Sequence, residues 1–482
     1  MERMSKRAHP ISFLYANPTG VLSDREILLL DEAQGKRALR SIFVPPDLGE
    51  LHALLAFLWE TGVGSLWIMP GTPLSQSATC ACFEQARQHW VVVTHADSSE
   101  QARPTGVFLW PKESRQQEAR RLSLLFPEHA GWPWVLPDAT SLLATVTYLE
   151  QALARPVLDS PALFAHQMLS DLTRDRPPSW SHSPPESLHA LLGKEEIMRS
   201  MREAGRALSW ARPLTLGELR QRYLHKYTHL SRDLEACLTA RLGGGTLEYS
   251  PNGRAYDALR PGTWRIHIER AGSIFDMKHL PGCLESEWVS TPQVKCCQDI
   301  GYRVDVLEGY CWSQAHNLLT PWAETLWRAA ARLSLPPRSP RHGQGRANGV
   351  QTIKDLAERG IALLAQDKSQ GGWNRPDWWA TIAGGSRALL FSHLARLAKQ
   401  GVMPVLIERD ALWVVADDPN PLTAVPGLVS GHHWKGYRVG YEVPLALSRE
   451  VKAAFTTLDQ PEHIARALDT LAEEVPQGKR VF

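Results

Sequence analysis

The sequence predicts a mixed protein of two parts, an α/β domain followed by an α+β domain with an antiparallel sheet. Two observations support this. In the first part, apolar strand-like runs alternate with helical segments, which is typical of an α/β domain. After Tyr223, strands dominate, and residues 263–269 and 302–307 alternate with period two, which indicates half-buried strands.

The first domain is predicted to span residues 1–172. Residues 173–186 are rich in proline, serine and charge and form the expected linker, and 187–222 read as a helical connector carrying helices at 187–208 and 215–223. The predicted strands of the first domain are 41–44, 65–69, 90–94 and 106–110, and its predicted helices are 48–59, 141–153 and 161–172.

The second domain is predicted over 223–427, with a C-terminal segment at 428–482. Its clearest element is a long helix that starts at Asn374-Arg375-Pro376-Asp377, with a capping residue and an early proline, and ends at Gly401. A hairpin of strands 402–407 and 412–416 follows, and its turn carries Glu408-Arg409-Asp410. Earlier helices are predicted at 322–333 and 354–364.

Composition narrows the classes of function. Hydrophobic residues make up 43% of the chain and charged residues 22%, which suits a globular protein. No run of 18 apolar residues and no signal-peptide core is present, so no membrane partner and a cytoplasmic location are expected. The spacings of the seven cysteines fit neither a zinc pair nor a disulfide scaffold. No G-x4-G-K-[ST] loop is present, which argues against an ATPase.

The basic residues favour a nucleic-acid partner, DNA or RNA. Of 53 basic side chains 40 are arginine, the side chain that grips phosphates with two parallel hydrogen bonds. The stretch 325–354 contains no Asp or Glu, and its Pro and Gly residues also fit a solvated loop. The predicted phosphate contacts in it are Arg328, Arg332, Arg338, Arg341 and Arg346.

Three segments resemble family B DNA polymerases. The first is 406–413, which lies where that family carries Asp-Thr-Asp-Ser before an apolar strand. The resemblance implies that Glu408 and Asp410 help to hold the two Mg²⁺ ions that stabilise the attacking and leaving oxygens. Strand alternation predicts these two acids on one face and Arg409 on the other.

The second segment begins at Lys354 and resembles the helix whose lysine holds the incoming triphosphate in this family. The family's Asn, Tyr and Gly do not follow in register. The third segment, 229–238, resembles the site of an Asp that binds both metals. In one register that Asp is Asp233, and in a register one residue earlier Arg232 replaces it; the sequence leaves both open.

Lys435-Gly436-Tyr437 resembles the Lys-x-Tyr motif that grips the primer strand, and the resemblance implies that Lys435 and Tyr437 bind nucleic acid. It also implies palm and fingers over 223–427, a thumb-like segment after them, and an RNase H-like exonuclease domain before them. In 26–34, Ala33 stands where the exonuclease would need a glutamate, so that domain is expected to be inactive.

The leading interpretation is a nucleic-acid-binding protein on a polymerase-like scaffold, with weak or lost nucleotidyl transfer. The first alternative is an active DNA polymerase in which Asp233, Glu408 and Asp410 are catalytic and Asp233 and Asp410 hold Mg²⁺. The second is a transcriptional regulator in which 214–227 forms part of a helix-turn-helix.

Overall fold

The structure, a computed structural model, divides into two compact units that are described separately. Unit 1 consists of Met1–Asp171 and Thr325–Gly360, and unit 2 of Leu172–Glu324 and Ile361–Phe482. The structure describes residues 19–23, 26–31, 38–44, 51–78, 80–95, 106–112, 122–132, 134, 138–157, 160–172, 188, 191, 193–204, 208–269, 288–334, 343–365, 375–429, 437–440, 444–458 and 460–474.

The strands among these residues are β1 (Thr19–Ser23), β2 (Glu26–Asp31), β3 (Ala38–Phe43), β4 (Ser65–Ile68), β5 (Trp90–His95), β6 (Gly106–Pro111), β7 (Leu122–Leu125), β8 (Ser209–Ala211), β9 (Tyr223–His229), β10 (Leu242–Ser250), β11 (Gly262–Glu269), β12 (Trp288–Ser290), β13 (Arg303–His316), β14 (Leu406–Glu408), β15 (Ala411–Ala416), β16 (Tyr437–Val439) and β17 (Leu445–Ala446).

The α-helices are α1 (Leu51–Glu60), α2 (Pro73–Ser77), α3 (Cys80–Ala86), α4 (Pro127–Ala130), α5 (Ala139–Leu153), α6 (Pro161–Leu172), α7 (Glu195–Ala204), α8 (Arg232–Thr239), α9 (Thr291–Asp299), α10 (Thr320–Leu333), α11 (Gly343–Ala362), α12 (Pro376–Lys399), α13 (Pro421–Ala424), α14 (Arg449–Thr457) and α15 (Pro461–Glu474).

Unit 1 is built on a seven-stranded mixed sheet in the order β3-β2-β1-β4-β7-β6-β5. The pairs β1–β4 and β4–β7 are parallel, and the others are antiparallel. Every residue of the central strand β4 is buried, as expected for a strand covered on both faces. Hydrogen bonds tie the later helices to this unit: the Trp134 indole N–H donates to the Thr352 hydroxyl at 2.5 Å, and Arg332 donates to the Ala152 carbonyl at 3.1 Å.

Unit 2 contains two antiparallel sheets. The first has the order β16-β9-β15-β14-β8, and β17 also pairs with β9. The core beneath it joins Tyr227, Ile407 and Leu412 of the sheet to Leu390 and Leu394 of α12. This packing fixes the hairpin β14–β15 between the edge strand β8 and the inner strand β9.

The second sheet has the order β10-β13-β11-β12. The glycines of β10 allow a tryptophan to lie directly on the strand, because a Cβ at Gly243 would stand 1.9 Å from Cδ1 of Trp312. A guanidinium buried nearby anchors the start of α12. Arg375 pairs with Asp377 at 2.7 Å, donates to the Gly243 carbonyl at 2.8 Å and lies 3.8 Å from the ring centre of Trp378.

The structure confirms a mixed α/β protein with antiparallel sheets. The predicted strands in the first domain correspond to β3, β4, β5 and β6, and the predicted long helix is α12. The predicted domain boundaries and the RNase H-like and palm assignments stay predictions. By its contacts, the segment Thr325–Gly360 groups with unit 1. Among the described residues, no helix is both long and apolar enough to cross a membrane.

The predicted helix at 215–223 is wrong. Only Glu218–Arg220 is helical there, as a single 3₁₀ turn, and the chain is already in strand β9 from Tyr223. The helix-turn-helix alternative needs a recognition helix between Leu214 and Tyr227 that could enter a groove of DNA. Since β9 is an inner strand of a sheet, between β16 and β15, this alternative is excluded.

Candidate functional site

The acidic hairpin is a tight two-residue turn. β14 ends at Glu408, β15 begins at Ala411, and these two residues face each other across the hairpin. Arg409 and Asp410 make the turn, and Arg409 is in the left-handed region at φ 49°. Glu408 and Asp410 were predicted on one face by strand alternation. Because Asp410 lies in the turn and not in a strand, that alternation does not apply to it. Glu408 instead lies 3.6 Å from the Arg409 guanidinium.

Arg232 is the cation that meets this turn. It is the first residue of α8, after Ser231, whose hydroxyl accepts the Leu234 N–H at 3.1 Å and caps the helix. The Arg232 side chain is buried, its Nε lies 3.3 Å from Oδ1 of Asp410, and its Nη2 donates to the Arg409 carbonyl. The charge of Asp410 is therefore compensated by a guanidinium from the same chain.

The strand beside the turn ends in a histidine that the sequence analysis did not single out. His229 is the last residue of β9, and its backbone N–H donates to the Asp410 carbonyl at 2.8 Å. Its ring Nε2 lies 2.8 Å from a carboxylate oxygen of Glu235. The two backbones therefore touch at the acidic turn, and the side chain that β9 brings there is a base.

The rings of His393 and Tyr437 lie beside that of His229, and the three residues form a cluster of rings. The rings of His393 and Tyr437 lie 5.3 Å apart, and the His229 ring lies 5.5 Å from Tyr437. Burial, together with the positive charge of Arg396, lowers the pKa of His393 to about 4. Burial also raises the pKa of Tyr437. His393 and Tyr437 are therefore uncharged at neutral pH, and both lie near Arg232.

Tyr437 does not fit the predicted contact with a primer strand. Its side chain is 1% exposed and belongs to the core beneath the first sheet of unit 2. β16 pairs with β9 through Tyr437 and His229, which turns the tyrosine ring into the protein. A side chain in this position stabilises the sheet and leaves no surface for nucleic acid. Lys435, its predicted companion, lies outside the described residues.

The residue at the start of α8 that pairs with Asp410 is Arg232. Asp233 is half-buried on α8, and its charge adds to the effect of burial in raising the pKa of Cys237. This arrangement corresponds to the register in which an arginine replaces the acid. Among the residues that the structure describes, no group of three or more His, Cys, Asp or Glu side chains could hold a metal ion.

The residues present do not fit two Mg²⁺ ions. A magnesium ion needs an octahedral shell of oxygens and relies on carboxylates that other cations leave available. Here Asp410 is paired with a buried guanidinium, and Glu408 faces Arg409. A divalent cation at the turn would meet two arginines within reach of the same carboxylates, and like charges repel.

The remaining predicted contacts lie in unit 1. Arg328 and Arg332 are exposed, one helical turn apart on α10, and the Lys354 side chain is half-buried on α11. The Arg346 guanidinium lies 5.2 Å from the ring centre of Tyr148, so part of its surface is covered. Arg338 and Arg341 lie outside the described residues. The acids of the hairpin turn, Glu408 and Asp410, belong to unit 2.

Comparisons with known proteins give structural similarity alone. No protein-family model and no curated protein matches the chain. Among solved structures, phi29 DNA polymerase with primer-template DNA and incoming nucleotide is 8% identical, covers 88% of this chain and 83% of its own, and has a TM-score of 0.45. The same polymerase with primer-template DNA in its post-translocation binary complex is 10% identical, with coverages of 88% and 84% and a TM-score of 0.45. The same polymerase complexed with single-stranded DNA is 8% identical, covers 88% of this chain and 84% of its own, and has a TM-score of 0.43. Similarity of this extent carries no conclusion about activity.

Proposed function

We propose that this chain is a nucleic-acid-binding protein on a family B DNA polymerase-like scaffold that has lost two-metal nucleotidyl transfer. The ion pair between Arg232 and Asp410 carries this proposal. The order of a helix, a hairpin with acids in its turn and a strand beside that hairpin agrees with the resemblance seen in the sequence. The charges at the turn do not agree with catalysis.

An arginine cannot replace a metal ion in this reaction. Two metal ions lower the barrier because each accepts oxygens of the reacting phosphate directly and one generates the nucleophile. A guanidinium offers only hydrogen-bond donors and keeps its proton at any physiological pH. Arg232 can therefore hold the hairpin against α8, as the bonds to Asp410 and Arg409 show, but it supplies no site for an attacking oxygen.

Nucleic-acid binding does not require the acids. It depends on cations that neutralise phosphates and release counterions. Arg328 on α10 is exposed, and Arg338 and Arg341 follow it in the acid-free stretch of the sequence. The sequence does not distinguish DNA from RNA as the partner.

The test of this proposal is the salt dependence of binding. Fluorescence anisotropy with a labelled primer-template duplex and with a single-stranded RNA should show binding in the presence of EDTA. The triple change Arg328→Gln, Arg338→Gln and Arg341→Gln should lower the salt slope on the duplex by up to about 3, since each phosphate contact contributes about 0.9.

A matched control removes three arginines that are exposed in unit 2 and lie outside the acid-free stretch, namely Arg254, Arg303 and Arg449. This variant has the same change in net charge and should keep the wild-type slope. An equal decrease of the salt slope in both variants would show that the effect comes from net charge and not from these positions. Absence of binding to either nucleic acid at low salt would remove the proposed function.

A further inference from the structure

A cavity of about 390 Å³ lies within unit 2, apart from the residues of the acidic turn. Its walls are the C-terminal half of α8, one face of α9, the middle of α12 and the turn 258–261. Small-molecule sites in proteins occupy about 300–1,000 Å³. The volume is therefore sufficient for a single ring system with a polar group attached.

The cavity exists because two helices present small side chains to each other. Thr381, Gly385, Ala388 and Ser392 follow one another along α12 at intervals of four, three and four residues and line it. On the α8 side Ala236 and Thr239 line it, and a Cβ added at Gly385 would lie 3.3 Å from the methyl group of Ala236. Larger side chains at these positions would fill the space.

Two hydroxyl groups of α12 that line the cavity already donate to backbone carbonyls. Thr381 donates to the Asp377 carbonyl at 2.8 Å, and Ser392 donates to the Ala388 carbonyl at 2.9 Å. The thiol of Cys296 points at the same Ala388 carbonyl at 3.3 Å, and burial raises its pKa, so it stays uncharged. The walls therefore favour an apolar body over one that needs donors from the protein.

The mouth of the cavity is basic. Arg241, Arg260 and Lys295 line it, with Asp299 as the acidic lining residue. Lys295 pairs with Asp299 at 2.6 Å, and Arg260 pairs with Glu248 at 3.1 Å. Arg241 is exposed and, within the part of the chain that the structure describes, takes part in no ion pair. One arginine at the mouth is thus available for an anion.

We infer that this cavity binds a small molecule with an apolar ring system and one anionic group. The body would lie between α8, α9 and α12, and the phosphate or carboxylate would meet Arg241. Leu259 at the mouth is 59% exposed, a large exposure for a leucine, and such a ligand would cover it. An aryl phosphate and an aromatic carboxylate share this chemistry. The inference does not depend on the proposed function.

The experiment is calorimetric titration of the full chain with five probes: phenyl phosphate, indole-3-acetate, their neutral counterparts phenol and indole, and inorganic phosphate. One of the two ring-bearing anions should bind with a stoichiometry of one, which also identifies the source of the ligand. The neutral counterpart should bind at least about tenfold more weakly, because it loses the charge-assisted hydrogen bond to Arg241.

Variants locate the site. Ala388→Leu and Ser392→Leu each fill the cavity and should abolish binding, and thermal unfolding shows which of them keeps the fold. Arg241→Gln should weaken binding about tenfold. Arg254→Gln removes an exposed arginine of the same unit that does not line the cavity and should change nothing. The inference is overturned if neither ring-bearing anion binds at about millimolar concentration, if phosphate alone binds as tightly, or if a folded cavity-filling variant binds like the wild type.

Discussion

The Nε atom of Arg232 lies 3.3 Å from Oδ1 of Asp410, and the same guanidinium donates to the carbonyl oxygen of Arg409. One buried side chain thus holds both residues of the hairpin turn against the start of α8. The turn needs such support, because Arg409 occupies a left-handed conformation that disfavours any side chain. Asp410, which the sequence suggested as a metal ligand, is instead paired with Arg232 in a contact that stabilises the turn.

Arg232→Ala should lower the free energy of unfolding by about 3 kcal/mol, because it leaves Asp410 without its cation in a largely buried place. Urea unfolding followed by tryptophan fluorescence measures the change. Arg265→Ala is the matched control, since the pair of Arg265 with Glu308 is more exposed and should contribute less than about 1 kcal/mol. Equal losses in the two variants would show that the Arg232 pair is an ordinary surface contact.

Low pH should lower the free energy of unfolding through the protonation of His393. Its pKa is lowered from 6.5 to about 4 in the folded protein, so the unfolded chain binds a proton that the folded one does not. Stability is fully present above pH 6.5 and is lost as the pH falls through 4, by up to about 3 kcal/mol. In His393→Leu the acid limb of a stability–pH profile should be shallower.

His463→Leu replaces an exposed histidine on α15 and measures the general effect of this substitution. Parallel acid limbs in the wild type and His393→Leu would contradict the account of the buried histidine.

Glu150 of α5 predicts a pH dependence of the opposite sign in unit 1. Burial raises its pKa from 4.5 to about 7, although the Val157 N–H and the Thr19 hydroxyl both donate to its carboxylate. The folded state therefore keeps a proton that the unfolded chain has lost. Stability is fully present below pH 4.5 and falls as the pH rises through 7, by up to about 3 kcal/mol.

Glu150→Gln should remove this fall between pH 5 and 8, as followed by urea unfolding at several pH values. Glu84→Gln changes an exposed carboxylate paired with Arg87 and serves as the control. A fall of the same size in wild type and Glu150→Gln would place its origin elsewhere.

The parts of the fold that local signals specify were predictable. The long helix α12 carries an early proline at Pro376 and is followed by Gly401 at φ 73°, and both signals act within a few residues of the helix ends. Strand β10 was not predicted, because its glycines resemble a loop. Its Gly243 is required by Trp312, which lies 69 positions later in the chain, and no local pattern reveals such a contact.

The candidate site was predictable only in its location. The hairpin and its acids followed from the sequence, but the partner of Asp410 did not, because 177 residues separate Arg232 from Arg409. The sequence left two registers open for α8, and a choice between neighbouring residues depends on the angle at which the helix leaves β9. The burial of Tyr437 was missed for a similar reason, since its three-residue motif does not specify which way the strand turns.

The central claim is that the protein binds nucleic acid but does not extend it, and one experiment measures both. A labelled primer annealed to a template is incubated with the purified protein, Mg²⁺ and all four deoxynucleotides; half of the sample is run on a native gel and half on a denaturing gel. The account predicts a retarded complex and an unextended primer, with Asp410→Ala behaving like the wild type. Primer extension that disappears in Asp410→Ala would contradict it and establish an active DNA polymerase.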